Sequence, residues 1–85
     1  MPRFYFHVFN HIMLHDSEGQ ELAGIEAAVR EARNAAADLI CDDIKAGRLI
    51  DPGHRIEVTD AQQRRVHVLR FGDLLRERSP RGGSD

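Results

Sequence analysis

Ile25 to Ala46, IEAAVREARNAAADLICDDIKA, is the stretch whose reading decides the fold. Ile25, Val29, Ala32, Ala36, Leu39 and Ile40 recur at spacings of three and four, which sets them along one stripe of a helix with a period of about 3.6 residues. Glu26, Arg30, Glu31, Arg33, Asn34, Asp38 and Lys45 fall mainly outside that stripe and read as solvated. Both ends are punctuated. Gly24 stands at the N-cap, Glu26 puts a negative charge in the first turn where the helix dipole favours it, and Gly47 follows where a C′ glycine belongs. Because alanine dominates the stripe, the helix can approach a sheet closely but buries little area. The large core side chains must therefore come from the flanking segments. Asp43 falls on the same stripe, which predicts that the last turn projects past the sheet edge or frays.

Both flanks carry strand signals. From Arg3 to Phe9 the chain alternates, with Phe4, Phe6 and Val8 on one face and Tyr5, His7 and Phe9 on the other. Asn10-His11 reads as a tight turn, Ile12 to His15 as a returning strand, and Asp16-Ser17-Glu18-Gly19 as the turn cluster that ends the hairpin. Gln20-Glu21-Leu22 then leads to the helix. Beyond it, Asp51-Pro52-Gly53 is a turn signal. Arg55 to Asp60 alternates with Ile56 and Val58 inward, and after a polar turn at Asp60 to Gln63, Arg64 to Phe71 returns with Val66 and Val68 inward. Leu74 or Leu75 is expected to close the core from a short terminal turn.

These elements predict a single α+β domain over residues 1–75, a two-layer ββαββ arrangement with one long helix on one face of a four-stranded antiparallel sheet. The preferred strand order is 2-1-3-4. It sets the Phe4, Phe6 and Val8 strand centrally, directly beneath the alanine stripe. Residues 76–85 contain no apolar side chain and read as a disordered tail.

Composition narrows the function classes. The chain has 85 residues, 41% hydrophobic and 31% charged, with a net charge of -2, room for one core and no more. No apolar run approaches the roughly 20 residues that span a bilayer, and no signal peptide is evident at the start. The expected setting is cytoplasmic, without a membrane partner. The single Cys41 allows no intrachain disulfide and lacks an activating motif.

Met1-Pro2-Arg3 followed by Phe4-Tyr5-Phe6 and His7, then Asp16-x-Glu18-Gly19, Glu21-Leu22, Glu26-Ala27-Ala28, Glu31-Ala32 and Ile56-Glu57-Val58-x-Asp60, resembles a family of short alphaproteobacterial proteins, frequent in rhizobia. That family is known as a domain of unknown function, and the resemblance spans Met1 to Leu75. Members usually carry Asp-Gly-like residues at the first hairpin turn and often an aspartate before the helix, where this chain has Asn10-His11 and Gly24. The resemblance implies an architecture and no activity.

The outward sheet face is the candidate binding surface. Tyr5, His7 and Phe9 on the first strand, Arg55 on the third, and Arg65 and His67 on the fourth would form a mixed aromatic and basic platform. Such a face suits a protein partner or a second copy of the chain. It could also stack bases and contact phosphates, although Glu57 on the same face and a pI near 6.2 disfavour nucleic acid. A third class, a partner domain like those of antitoxins, is suggested by element order alone.

No cofactor and no metal is expected. His11 and His15, four residues apart in a hairpin, would stand roughly 13 Å apart. Asp42 and Asp43 point about 100° apart on a helix, so they do not form an acid/base dyad. The resulting expectation is a small, non-catalytic protein-interaction module that self-associates.

Overall fold

Alternation in Arg3 to Phe9 produces the first strand, β1 (Arg3–Phe9). After it come β2 (Met13–Leu14), β3 (Gln20–Glu21), the helix α1 (Ile25–Ala46), β4 (Arg55–Thr59), β5 (Arg65–Arg70) and a short helix α2 (Phe71–Arg76). The computed structural model describes residues 1–76. The tail expected at residues 76–85 thus lies outside the described residues except for Arg76, which belongs to α2.

All pairings are antiparallel, in the order β2-β1-β4-β5, with β3 also paired to β1. The preferred 2-1-3-4 order corresponds to this sheet, but it has five strands rather than four. The expected second strand is interrupted. Val8 and Phe9 pair with Leu14 and Met13, whereas Arg3 and Phe4 pair with Glu21 and Gln20, and residues 15–19 bulge away between the two segments. Asn10 closes the first turn by accepting the Ile12 N–H on its side-chain oxygen.

The core consists of Phe4, Ile56, Val58, Leu69 and Phe71 against Ala28, Ala32, Ala36 and Ile40, with Phe6, Val8, Leu22, Ile50 and Leu74 around it. The buried stripe is turned slightly from the expected one: Ala28 is fully buried, while Ile25 is 52% exposed. The backbone of α1 runs closest to β4 and β5 rather than to β1. From β1, Phe4 spans the remaining distance with a long side chain. The last turn of α1 does not fray. Asp43 is buried and its Oδ1 accepts a 3.0 Å hydrogen bond from Arg48 Nε. Gly47 adopts the left-handed conformation, so that the N–H groups of Gly47 and Arg48 return to the carbonyls of Ile44 and Asp43.

Two sequence expectations for β5 are corrected. Thr59 pairs with Arg65 and Val58 with His67, so Val66 is an extra residue at a bulge. Cross-strand partners share a face, which puts His67 on the helix side with Val58 and Val68 on the outward side with Glu57. The physical reason lies at the strand's far end: Leu69 and Phe71, both buried, determine the inward parity of His67 and Val68, while Val66, at the bulge, packs against the core as expected. In α2 Leu74 packs on the core, whereas Leu75 is exposed.

The start of α1 is the least optimised element. Gly24 caps it with an extended backbone and no side-chain hydrogen bond, and a Cβ there would meet nothing within 4 Å. Gly24→Asp should therefore raise stability by about 0.5–1 kcal/mol in chemical denaturation, through a cap hydrogen bond and lower unfolded-state entropy.

Candidate interaction face and its histidine corner

The outward face is built by register. Tyr5, His7 and Phe9 of β1 stand opposite Thr59, Glu57 and Arg55 of β4, and Arg70, Val68 and Arg65 of β5 stand opposite Arg55, Glu57 and Thr59. Five of the six expected binding residues, Tyr5, His7, Phe9, Arg55 and Arg65, are thereby brought onto one face. The sixth, His67, is on the other side, where its Nε2 is buried with no hydrogen-bond partner among the described residues. Val68 and Arg70 occupy the places on β5 that the alternation had assigned inward or left unassigned.

Glu57 is the electrostatic centre. Arg55 Nε donates to its Oε2 at 2.7 Å, and Arg65 approaches the same oxygen at 3.6 Å. The Arg55 guanidinium also lies 4.1 Å from the centre of the Phe9 ring, a cation–π contact that fixes both groups. Arg70 pairs with no carboxylate among the described residues, although it stands directly across the ladder from Arg55. Two arginines share one carboxylate and the third has none, so the β5 side of the face carries surplus positive charge.

At the other corner, Tyr5, His7, His15, Asp16, Ser17, Thr59 and Gln63 line a cleft of about 250 Å³. Its organiser is Asp16. The interruption between β2 and β3 leaves the Phe6 N–H without a strand partner, and Asp16 Oδ2 accepts it at 3.0 Å. The other oxygen accepts the N–H groups of Glu18 and Gly19. Gly19 is obligatory here: its φ is +69°, and a Cβ would meet the Phe4 carbonyl at 2.7 Å. The backbone N–H of Asp16 donates to His7 Nδ1 at 3.1 Å, so that nitrogen carries a lone pair. Nε2 must then hold the proton and donate it to Thr59 Oγ1 at 3.1 Å. His15 stacks on His7 with ring centres 4.4 Å apart. Gln63 closes the β4–β5 hairpin with φ of 66°, a strained value for a residue with a Cβ.

The His7–Asp16 pair is therefore structural. Both ring nitrogens of His7 and both oxygens of Asp16 take part in hydrogen bonds within the protein, linking the loop to β1 and β4 and bracing the loop itself. The sequence marked Asp16 only as a turn residue. Its second role depends on an unpaired N–H ten residues away, which no local pattern reveals. The remaining histidines stand elsewhere: His11 packs edge-on against His54, and its Nε2 lies 3.7 Å from Asp43. Among the described residues no three His, Cys, Asp or Glu side chains converge on a metal-sized site.

Burial holds the His7 pKa below its ordinary 6.5, and the neighbouring His15 adds to this, against smaller opposite effects of Asp16 and Glu57. For Asp16, burial alone would raise the pKa, but the N–H groups of Phe6, Gly19 and Glu18 together with His7 hold it below 3.8. Both shifts favour the form without the extra proton in the folded state. Stability is thus fully present above pH 6.5. It falls as the unfolded chain begins to protonate the imidazole that the fold keeps neutral, and falls again below pH 3.8 through Asp16. Denaturation midpoints measured from neutral to acid pH should show the upper step, and His7→Gln should remove it. Asp16→Asn should destabilise by about 1–3 kcal/mol, because one side-chain position facing backbone donors becomes a donor itself. Urea unfolding measures this directly.

No helix among the described residues is long and apolar enough to cross a membrane. No curated protein and no solved structure matches the chain. A family model does match, over residues 3–72. It covers β1 through the first two residues of α2, including both the arginine-rich face and Asp16 with its loop. The chain belongs to the family described as domain of unknown function DUF6894.

Proposed function

We propose that this domain is a non-catalytic protein-interaction module that binds through the outward face of its sheet. The carrying observation is the arrangement of that face: Tyr5, Phe9 and Val68 supply partly exposed apolar surface, and Arg55, Arg65 and Arg70 surround it around a single Glu57. Aromatic side chains ringed by arginines are the composition that carries most of the energy in protein interfaces. The engagement of His7 and Asp16 in backbone support argues against acid–base chemistry at the one cleft that contains both.

Self-association is one form such a module can take. The surplus positive charge along β5 works against it there, because a second copy would bring the same arginines to the junction. Nucleic acid is the competing partner class. Glu57 opposes it by occupying Arg55 and partly neutralising Arg65, where a phosphate backbone would need free guanidinium groups.

Light scattering on the purified chain at low and high salt should find no nucleic acid carried along. Immobilised chain should retain a protein that the double variant Tyr5→Ser, Phe9→Ser releases, with helix content unchanged by circular dichroism. Bound nucleic acid that is lost at high salt would overturn the reading, as would capture indifferent to both substitutions.

A further inference from the structure

The backbone of β5 indicates what kind of segment the face would take. Phe71 N donates to the His54 carbonyl at 2.8 Å, which makes Phe71 and His54 a hydrogen-bonded pair continuing the β4–β5 register. In an antiparallel ladder such pairs alternate with pairs that exchange no hydrogen bonds. Leu69 and His67 thus direct their N–H and C=O groups toward β4, whereas Val68 directs both of its groups, and Arg70 its N–H, to the outer edge; the Arg70 carbonyl is taken up by the first turn of α2. Among the described residues no strand pairs there. Val68 and Arg70 also lie on the outward face, with Arg65. The interrupted β2/β3 side offers no comparable run, since each of its segments has two residues.

We propose that the outer edge of β5 takes an extended, acidic segment of another protein, which adds to the sheet as a further strand hydrogen-bonded to Val68 and Arg70. The proposal rests on the reading that the domain binds proteins, and it specifies the partner chemistry and the point of attachment. Charge complementarity decides the occupant. β5 contains Arg65 and Arg70 and no acidic residue, Arg70 faces Arg55 across the ladder, and Glu57 is the one carboxylate among them. Like charges directly opposite destabilise a sheet, and a carboxylate on an incoming strand beside Arg70 relieves this. A second copy of β5 would add two more arginines and no acid. Strand addition gives affinity through main-chain hydrogen bonds and specificity through alternate side chains. Here an apolar residue of the guest would meet Val68, with acidic residues on either side meeting Arg70 and Arg65.

The test is fluorescence anisotropy with a fluorescein-labelled peptide that repeats Thr-Glu-Thr-Val-Thr-Glu-Thr, which sets Glu, Val and Glu on one strand face, compared with the same peptide carrying lysine for glutamate and with labelled oligouridylate. The acidic peptide should bind, the lysine peptide should not, and affinity should fall with added salt. Val68→Pro removes an N–H that faces away from β4, so the thermal transition should survive while peptide affinity drops about tenfold or more. Arg70→Glu should weaken the acidic peptide by a similar factor and admit the lysine peptide. Amide exchange provides a readout that needs no variant: peptide should protect the Val68 and Arg70 N–H groups and leave those of His67 and Leu69 unchanged. Absence of acidic-peptide binding overturns the proposal, as does tighter binding of oligouridylate. Binding that survives Val68→Pro but is lost in Phe9→Ser overturns the edge assignment while the interaction-module reading stands. A dimer dispersed by Val68→Pro would make the occupant a second copy and also overturn it.

Discussion

The close approach of a small-residue helix to a sheet is the constraint on which the rest of the molecule depends. Ala28, Ala32 and Ala36 are fully buried and contribute only methyl groups, so α1 lies near the backbone of β4 and β5. Bulk is then supplied from below and from the side, by Ile56 and Val58 of β4, Phe4 of β1 and Phe71 at the start of α2. A helix with larger residues on that stripe would have to stand off and leave voids between layers that are otherwise packed at solid density. The same economy explains how so short a chain closes a core at all. Its second helix is less an independent element than a lid of Phe71 and Leu74 over the open end of the first.

Using one face of the sheet for α1 commits the other to solvent, and the chain has solved the two halves of that face differently. At the β2/β3 side, a loop folds over it and Asp16 substitutes for strand backbone, with His7 locked beneath. At the β5 side nothing among the described residues covers it, and arginines accumulate. One half of the face is thus consolidated by the hydrogen bonds of Asp16 and His7, and the other is left with charge to satisfy.

The sequence made β1, α1 and β4 legible because each has a single period maintained over its whole length. It was less informative wherever one residue changes parity. In Val66-His67-Val68-Leu69-Arg70-Phe71 two alternations compete, and weighting the valines gives the wrong face for His67. The size of Leu69 and Phe71 was the available signal for the right one. The split of the second strand was hidden for another reason: Asp16-Ser17-Glu18-Gly19 was recognisable as a turn, but its purpose is fixed by the Phe6 N–H and by the tight space around Gly19. Asp43 illustrates the same limit. A buried aspartate on an apolar stripe looks like an error until Arg48, beyond the helix end, turns back to meet it.

The interrupted β2/β3 edge also has a consequence for stoichiometry. An open sheet with two equivalent edges can in principle be extended from both, and repeated addition is the route to fibres. Here one border is broken into two-residue pieces around an aspartate-filled gap, so it presents no continuous row of donors and acceptors. Strand addition of the kind proposed above is thus open to the opposite border alone, which gives the sheet a direction.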